Sequence, residues 1–213
     1  MRHPKLTVAA MLAALAVVPA LADAINFAGE TAGAPPRQFE FARTGQGDAG
    51  HWVVVRDASA DGGNALEQDS QETTDYRFPL AIYQPVSARN VEVRIRFKAM
   101  SGKVDRAGGI ALRLTSLDNY YVVRANALED NVRFYRVVKG KREQLATANV
   151  KAAPNEWHIL GLKADGDRFT ISFEGKELYT ATDKTFDMAG KIAFWTKADS
   201  VTRFDRLDIN MLQ

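Results

Sequence analysis

The sequence predicts an all-β protein, a sandwich or barrel of short antiparallel strands. Apolar and polar residues alternate with period two along much of the chain. Clusters of Gly, Asp and Asn separate the alternating runs, as hairpin turns require. No amphipathic helical pattern of useful length follows residue 24.

The runs can be taken in order. "FEF" at Phe39 to Phe41 reads as a first short strand, and "HWVVVRD" from His51 to Asp57 as a stronger one. A turn around Gly62-Gly63-Asn64 leads to a strand near Ala65 to Gln68. "NVEVRIRFKAM" puts Val91, Val93, Ile95 and Phe97 on one face and Glu92, Arg94, Arg96 and Lys98 on the other, the pattern of a half-buried antiparallel strand. "GGIALRL" follows, with Ile110, Leu112 and Leu114 on one face, then "YYVVRAN" and "NVRFYRVV". "KGK" at Lys139 to Lys141 is a hairpin turn into "REQLATA". "EWHILGLKA" and "RFTISF" flank Asp165-Gly166-Asp167, "EGKEL" turns at Gly175, and "TFDMAG" reads as a single turn. "GKIAFWTKA" and "TRFDRLDINML" are the last strands. Trp52 and Trp157 are expected in the core, with Ile159 on the face of Trp157; His158 is expected at the surface or in a structural hydrogen bond.

The first residues have a different character. Arg2 and Lys5 precede an apolar run from Leu6 to Val18, then Pro19 and small residues at A-x-A spacing. Both Ala20-Leu21-Ala22 and Ala22-Asp23-Ala24 fit the cleavage pattern, which predicts a secretory signal peptide over residues 1–24 and export to the periplasm or beyond the cell. The run is shorter than the roughly 20 residues of a bilayer span, and no later run matches it, so no membrane span is expected after cleavage. Residues 25–213 are read as one sandwich domain, with 25–38 irregular because "AGETAGAPPRQ" is rich in Gly and Pro.

Composition narrows the chemistry. Arg2, Lys5 and Asp23 leave with the leader, taking 28 basic and 26 acidic residues to 26 and 25, a balance that gives no electrostatic case for nucleic acid. With 0 cysteines the chain has no disulfide and no thiolate nucleophile, and 3 histidines are too few for a histidine-rich metal site. No calcium-loop or phosphate-loop motif occurs, so neither cofactor nor metal is expected. Asp199, Ser200 and Asp205 are read as turn-capping residues, and Gly108-Gly109 as a bulge or a close sheet contact.

"SGKVDRAGGIALRL", "DNYYVVRANALEDNV", "FYRVVKGKREQL" and "WTKADSVTRFDRLDI" resemble exported bacterial members of the concanavalin A-like lectin/glucanase superfamily. More narrowly they resemble the domain grouped with 3-keto-disaccharide hydrolases and family-16-like glycoside hydrolases. The resemblance runs from about Phe39 to the C-terminus. It implies a jelly-roll β-sandwich of two antiparallel sheets, one concave, with a carbohydrate or glycoside lying on the concave sheet. The family-16 E-x-D-x-E and E-x-D-x-x-E motifs are missing, and retaining hydrolysis needs two carboxylates about 5 Å apart.

Strand parity then sorts the candidates. With Tyr121, Val123, Ala125, Val132, Phe134, Ile192, Phe194 and Thr196 on the core side, the opposite face receives Arg113, Tyr120, Arg124, Asn126, Arg133, Tyr135, Trp195 and Lys197. Aromatic rings pack on pyranose C–H faces and planar multi-donor side chains bracket vicinal hydroxyls, so this set suits sugar recognition; the plainer reading is a solvated face. The expected function is non-hydrolytic carbohydrate binding. Two alternatives stand beside it. One is a 3-keto-disaccharide-type activity using Glu129 or Asp199 with Arg124; the other is a protein-interaction domain. In the turn-bound acids Glu129-Asp130 and Asp165 with Asp167, the parity reading sees solubility and capping first.

Overall fold

The computed structural model describes residues 23–212, so the expected leader lies outside the described residues except at its last two positions. The strands are β1 (Asp23–Asn26), β2 (Phe39–Gly45), β3 (Trp52–Arg56), β4 (Asn64–Gln68), β5 (Arg77–Ala88), β6 (Val91–Ser101), β7 (Ala107–Ser116) and β8 (Asn119–Asn126). There follow β9 (Asn131–Val138), β10 (Lys141–Asn149), β11 (Trp157–Asp165), β12 (Arg168–Phe173), β13 (Lys176–Thr182), β14 (Gly190–Trp195) and β15 (Val201–Met211). Asp61–Gly63 forms one short 3-10 turn, and the expected turn in "TFDMAG" is a pair of bends. One sheet runs β13–β12–β11–β6–β15–β4–β3, with β1 added against β15; the other runs β10–β9–β8–β7–β14–β5–β2. Every pairing is antiparallel.

The core lies between the sheets, where period two places it. Val91, Val93, Ile95 and Phe97 of β6 face Ile110 and Leu112 of β7, Tyr121, Val123 and Ala125 of β8, and Val132 and Phe134 of β9, all fully buried or nearly so. Aromatic pairs bridge the layers: Phe194 stacks on Phe204 at 4.4 Å, and Tyr121 and Phe134 meet Phe169 at 4.4 and 5.0 Å. Burial of each such side chain stabilises the fold by about 1.5–3 kcal/mol. Gly108 faces this core because a Cβ there would come within 2.6 Å of the Phe97 ring.

Three expectations need correction. β1 lies inside the segment read as irregular; it pairs Ile25 with Leu207 and Asn26 with Arg206, and four residues carry too little alternation to announce a strand. Leu114 does not join Ile110 and Leu112, because the β7–β8 register shifts between Leu112 and Ser116. Arg113, at φ 50°, marks that bulge, and Leu114 turns to the outer face. Trp157 and Ile159 face outward, Ile159 being 40% exposed, because β11 pairs Trp157 with the outward Lys98. The core parity of β11 is instead His158, Leu160, Leu162 and Ala164. His158 is buried and hydrogen-bonded, its Nε2 donating to the Ala153 carbonyl at 2.9 Å and its Nδ1 meeting Glu174 at 2.8 Å.

The seven-stranded sheet is rolled. Arg142 on β10 stands 5.0 Å from the Phe78 ring on β5, the first and sixth strands of the sheet. In a flat sheet five strand spacings would separate them by about 24 Å, far beyond the reach of one side chain. The Thr44 hydroxyl on β2 meets the Tyr120 hydroxyl on β8, four strands away, at 2.8 Å. The outer face of this sheet is therefore the concave one.

Candidate functional site

The floor of the concavity is apolar and closed. Phe78, Leu80, Ala111, Tyr120, Val122, Ala193 and Trp195 form a second cluster on the outer face, each almost wholly buried although no third layer of the described residues covers them. Curvature does the covering. Phe78 stacks on Trp195 at 5.3 Å, and the Arg142 guanidinium lies over Tyr135, Phe78 and Trp195 at 4.4, 5.0 and 5.7 Å. Such cation–aromatic contacts are strengthened by desolvation. Gly109 makes room at the centre. It sits opposite Arg124 on one side and Trp195 on the other, and a Cβ would come within 2.6 Å of the Val123 carbonyl oxygen.

Above this floor lies a charged network. Arg124 and Arg133 are direct cross-strand neighbours, an arrangement that repels unless an anion joins them. Glu129 supplies it: its Oε2 accepts from Arg124 Nη2 at 2.8 Å, lies 3.2 Å from Arg133 Nη1, and accepts from Asn131 Nδ2 at 3.1 Å. Arg124 also donates to the Asn131 side-chain oxygen. Asn126 donates to Asp105 at 2.8 Å and its own oxygen caps the amides of Leu128 and Glu129, which fixes the turn that presents Glu129. Lys197 contacts Asp75 at 2.6 Å and Asp105 at 3.1 Å.

The two inner carboxyls titrate in opposite senses. Burial pushes Asp105 above the usual carboxylate range, against the pull of Lys197. Burial also works to raise Glu129, but Arg124, Asn131 and Arg133 outweigh it and hold the group below its ordinary value. Lys197 is held above its ordinary value because Asp75 and Asp105 outweigh its partial burial.

The expected site residues divide three ways. Arg124, Asn126, Arg133, Tyr135 and Lys197 are brought together on the concave face, where Arg124, Asn126 and Tyr135 are buried and Arg133 and Lys197 are half-buried. Tyr120 and Trp195 are on that face but sealed, each 0% exposed, because the curvature folds Phe78 and Arg142 over them; neither ring is free to stack on a sugar. Arg113 is not on the face at all. The bulge turns it to the core side, where it donates to the carbonyls of Arg89, Phe186 and Gly166 and lies over the Phe169 ring at 5.1 Å. Asp199 is spent on the backbone amides of Lys103, Val104 and Asp105, the turn-capping role expected of it. Glu129, first read as a solubility residue, is instead the centre of the arginine pair.

Four residues escaped the sequence reading: Asp105, Asp75, Asn131 and Arg142. The first two lie in loops, where parity says nothing. Arg142 was within reach, since a two-residue turn at Lys139-Gly140 places it opposite Val137 and so on the face of Tyr135.

A scan against protein-family models and a search of curated proteins each return no match. Solved structures do match. A carbohydrate-binding module CBM66 from Bacillus subtilis superposes with TM-score 0.63 at 18% identity, covering 80% of this chain and 97% of that one. The Crh5 transglycosylase in complex with NAG gives 0.61 at 14%, covering 92% and 86%. The Bacillus licheniformis β-glucanase gives 0.58 at 10%, covering 93% and 100%. Identities this low establish the fold, which is the concanavalin A-like jelly roll.

Proposed function

We propose that this chain binds a carbohydrate or glycoside on the concave face of the seven-stranded sheet, without hydrolysing it. One observation carries the reading: the rolled sheet converges the half-buried Arg133, Arg142 and Lys197 above an apolar floor, with the buried Arg124 and Asn126 holding the Glu129 turn behind them. Planar and multi-donor groups so arranged can bracket hydroxyl pairs. Structural neighbours named as a carbohydrate-binding module and as glucan-active enzymes lend this support. The non-hydrolytic half rests on occupancy, since Glu129 is bound by Arg124, Arg133 and Asn131 and Asp105 by Asn126 and Lys197. Calorimetry against a broad panel of neutral and acidic oligosaccharides tests it. Binding is expected, and Arg124→Ala should weaken it by about tenfold or more, close to 1.4 kcal/mol. No heat with any sugar in the panel would overturn the reading.

The opposed titration of Glu129 and Asp105 favours one second reading. A carboxylate held below its ordinary value and a carboxyl held above its own, on one face, suit the roles of base and acid, the combination needed to cleave a 3-keto-glycoside. Release of the aglycone from such substrates by the wild-type protein, abolished in Glu129→Gln, would replace the binding reading with this one.

Export is proposed from the leader alone. Processing after Ala22 would leave β1 whole, whereas processing after Ala24 would remove its pairings with Ile209 and Asp208. The mass of the secreted chain distinguishes an Asp23 start from an Ile25 start, and a purely cytoplasmic, unprocessed product would refute export.

A further inference from the structure

Four cations point into the concavity, and three are committed. Arg124 and Arg133 share Glu129, and Lys197 is held between Asp75 and Asp105. Arg142 differs. Among the described residues no carboxylate lies within 4.0 Å of its guanidinium and no side-chain or backbone acceptor takes a hydrogen bond from it. Its Nη1 is buried without a partner. Asp75 is close enough to feel its charge but is engaged by Lys197 at 2.6 Å. Asp75, Asp105 and Glu129 are each engaged by Lys197, Arg124 or Arg133, and among the described residues Arg142 is left without a carboxylate in contact.

The group is nonetheless fixed in place. Three rings, those of Tyr135, Phe78 and Trp195, support the guanidinium plane at 4.4 to 5.7 Å. Stacking of this kind orders an arginine before any ligand arrives, so less side-chain entropy is lost on binding. The residue as a whole is half-buried on the rim strand β10. A planar cation that is ordered, unpaired and placed at the mouth of a cleft is matched by a planar or tetrahedral anion, which accepts two hydrogen bonds and cancels the charge.

We propose that the sugar taken by this face is acidic, its carboxylate or sulfate seated on Arg142. This inference rests on the sugar-binding reading and deepens it. The test titrates the full-length mature chain with a uronic-acid oligosaccharide against its methyl ester, and with a sulfated oligosaccharide against its unsulfated parent. Each pair keeps the ring shape and removes the charge. At least one acidic partner is expected to bind tenfold or more tightly than its neutral counterpart, with a preference that shrinks as salt rises. Arg142→Gln should reduce that preference to about twofold or less while leaving the affinity for the neutral sugar in place, and Arg142→Lys should retain part of it. Thermal melting and tryptophan fluorescence check that Trp195 stays buried in both variants, and a collapsed Arg142→Gln hands the decision to Arg142→Lys. Equal affinity for acidic and neutral partners would overturn the inference and leave the sugar-binding reading intact. So would a preference that survives Arg142→Gln. Failure of every sugar, neutral or acidic, would overturn both.

Discussion

On the outer face of the eight-stranded sheet, every cation of β6 and β15 ends on a carboxylate. Arg94 meets Glu92, Arg96 meets Asp205, Lys98 meets Asp57, Arg203 meets Asp57 and Glu67, and Arg206 meets Asp61 and Asp208. Trp157 completes the ladder, its ring 4.6 Å from both Arg96 and Lys98 and its Nε1 donating to Ser59. The concave face has similar ingredients, arginines, a lysine, carboxylates and a tryptophan, but leaves Arg142 uncommitted. The difference teaches that charge density does not mark a site. A saturated ladder is a stabilising surface, while a cleft with one ordered, unpaired donor has something left to give to a ligand.

The contrast is broken most forcefully at Asp57. Its carboxyl is 7% exposed and holds both Lys98 and Arg203, which keep it well below the ordinary range despite burial working to raise it. Asp57→Ala strands Lys98 and leaves Arg203 to Glu67 alone, and removal of one partner from a buried pair costs about 3–5 kcal/mol. Urea denaturation should report a loss of this size, while sugar affinity on the opposite face stays within twofold. A large loss of affinity would mean that the two faces are coupled. Because the folded pKa is depressed, the contribution of Asp57 is complete above the unfolded value near 4 and is lost as pH falls below it.

Asp205, on the same ladder, has the opposite sign. It is fully buried, with Oδ1 lacking any partner among the described residues, and desolvation pushes it up to about 6 although the Asp61 amide and Arg96 oppose this. The folded state therefore holds its proton more tightly than the unfolded state, and the ionised form costs stability above about pH 6, on the order of 3 kcal/mol. That cost fades as pH falls from 6 toward 4. Asp205→Asn keeps an acceptor for the Asp61 amide and should flatten the stability profile between pH 4 and 7. An unchanged slope would mean that the Arg96 contact already compensates the buried charge.

Gly109→Ala probes the concave side by packing alone. The new Cβ would crowd the Val123 carbonyl oxygen at 2.6 Å and the Arg124 Cβ at 3.0 Å. Overpacking of this kind costs about 1–3 kcal/mol. Because it displaces Arg124, ligand affinity should fall together with stability, unlike at Asp57. Stability lost with affinity retained would remove Arg124 from the binding surface.

Alternation in the sequence identified the sandwich because a strand with one buried face must alternate, and β6 does so from Val91 to Phe97. It also identified which side of β8 and β9 was which. It failed where one backbone irregularity reverses parity, at the Arg113 bulge, and at the head of β11, where a tryptophan sharing its face with Ile159 was taken for core. It could not foresee that Trp195 and Tyr120 would be sealed. That follows from curvature, a property of the whole sheet which no single strand encodes. Glu129 was misread for a related reason: a turn acid looks like solubility until the arginines of two strands are seen to converge on it.

The smallest expected effect concerns how the concave face is held. Ala198, next to Lys197, sits at φ 47°, in the left-handed region that costs a non-glycine residue about 1–2 kcal/mol. Arg77 holds it there from both sides, its carbonyl accepting the Ala198 amide at 2.9 Å and its Nη1 donating to the Ala198 carbonyl at 2.6 Å. Ala198→Gly would relieve the backbone strain but give the unfolded chain more freedom, leaving a net stabilisation of about 0.5 kcal/mol. If that strain serves to aim Lys197 between Asp75 and Asp105, the same change should loosen the lysine and weaken ligand binding slightly while the melting temperature rises. A rise in both stability and affinity would mean that the strained turn is incidental to the site, and that Lys197 is positioned by its two carboxylates alone.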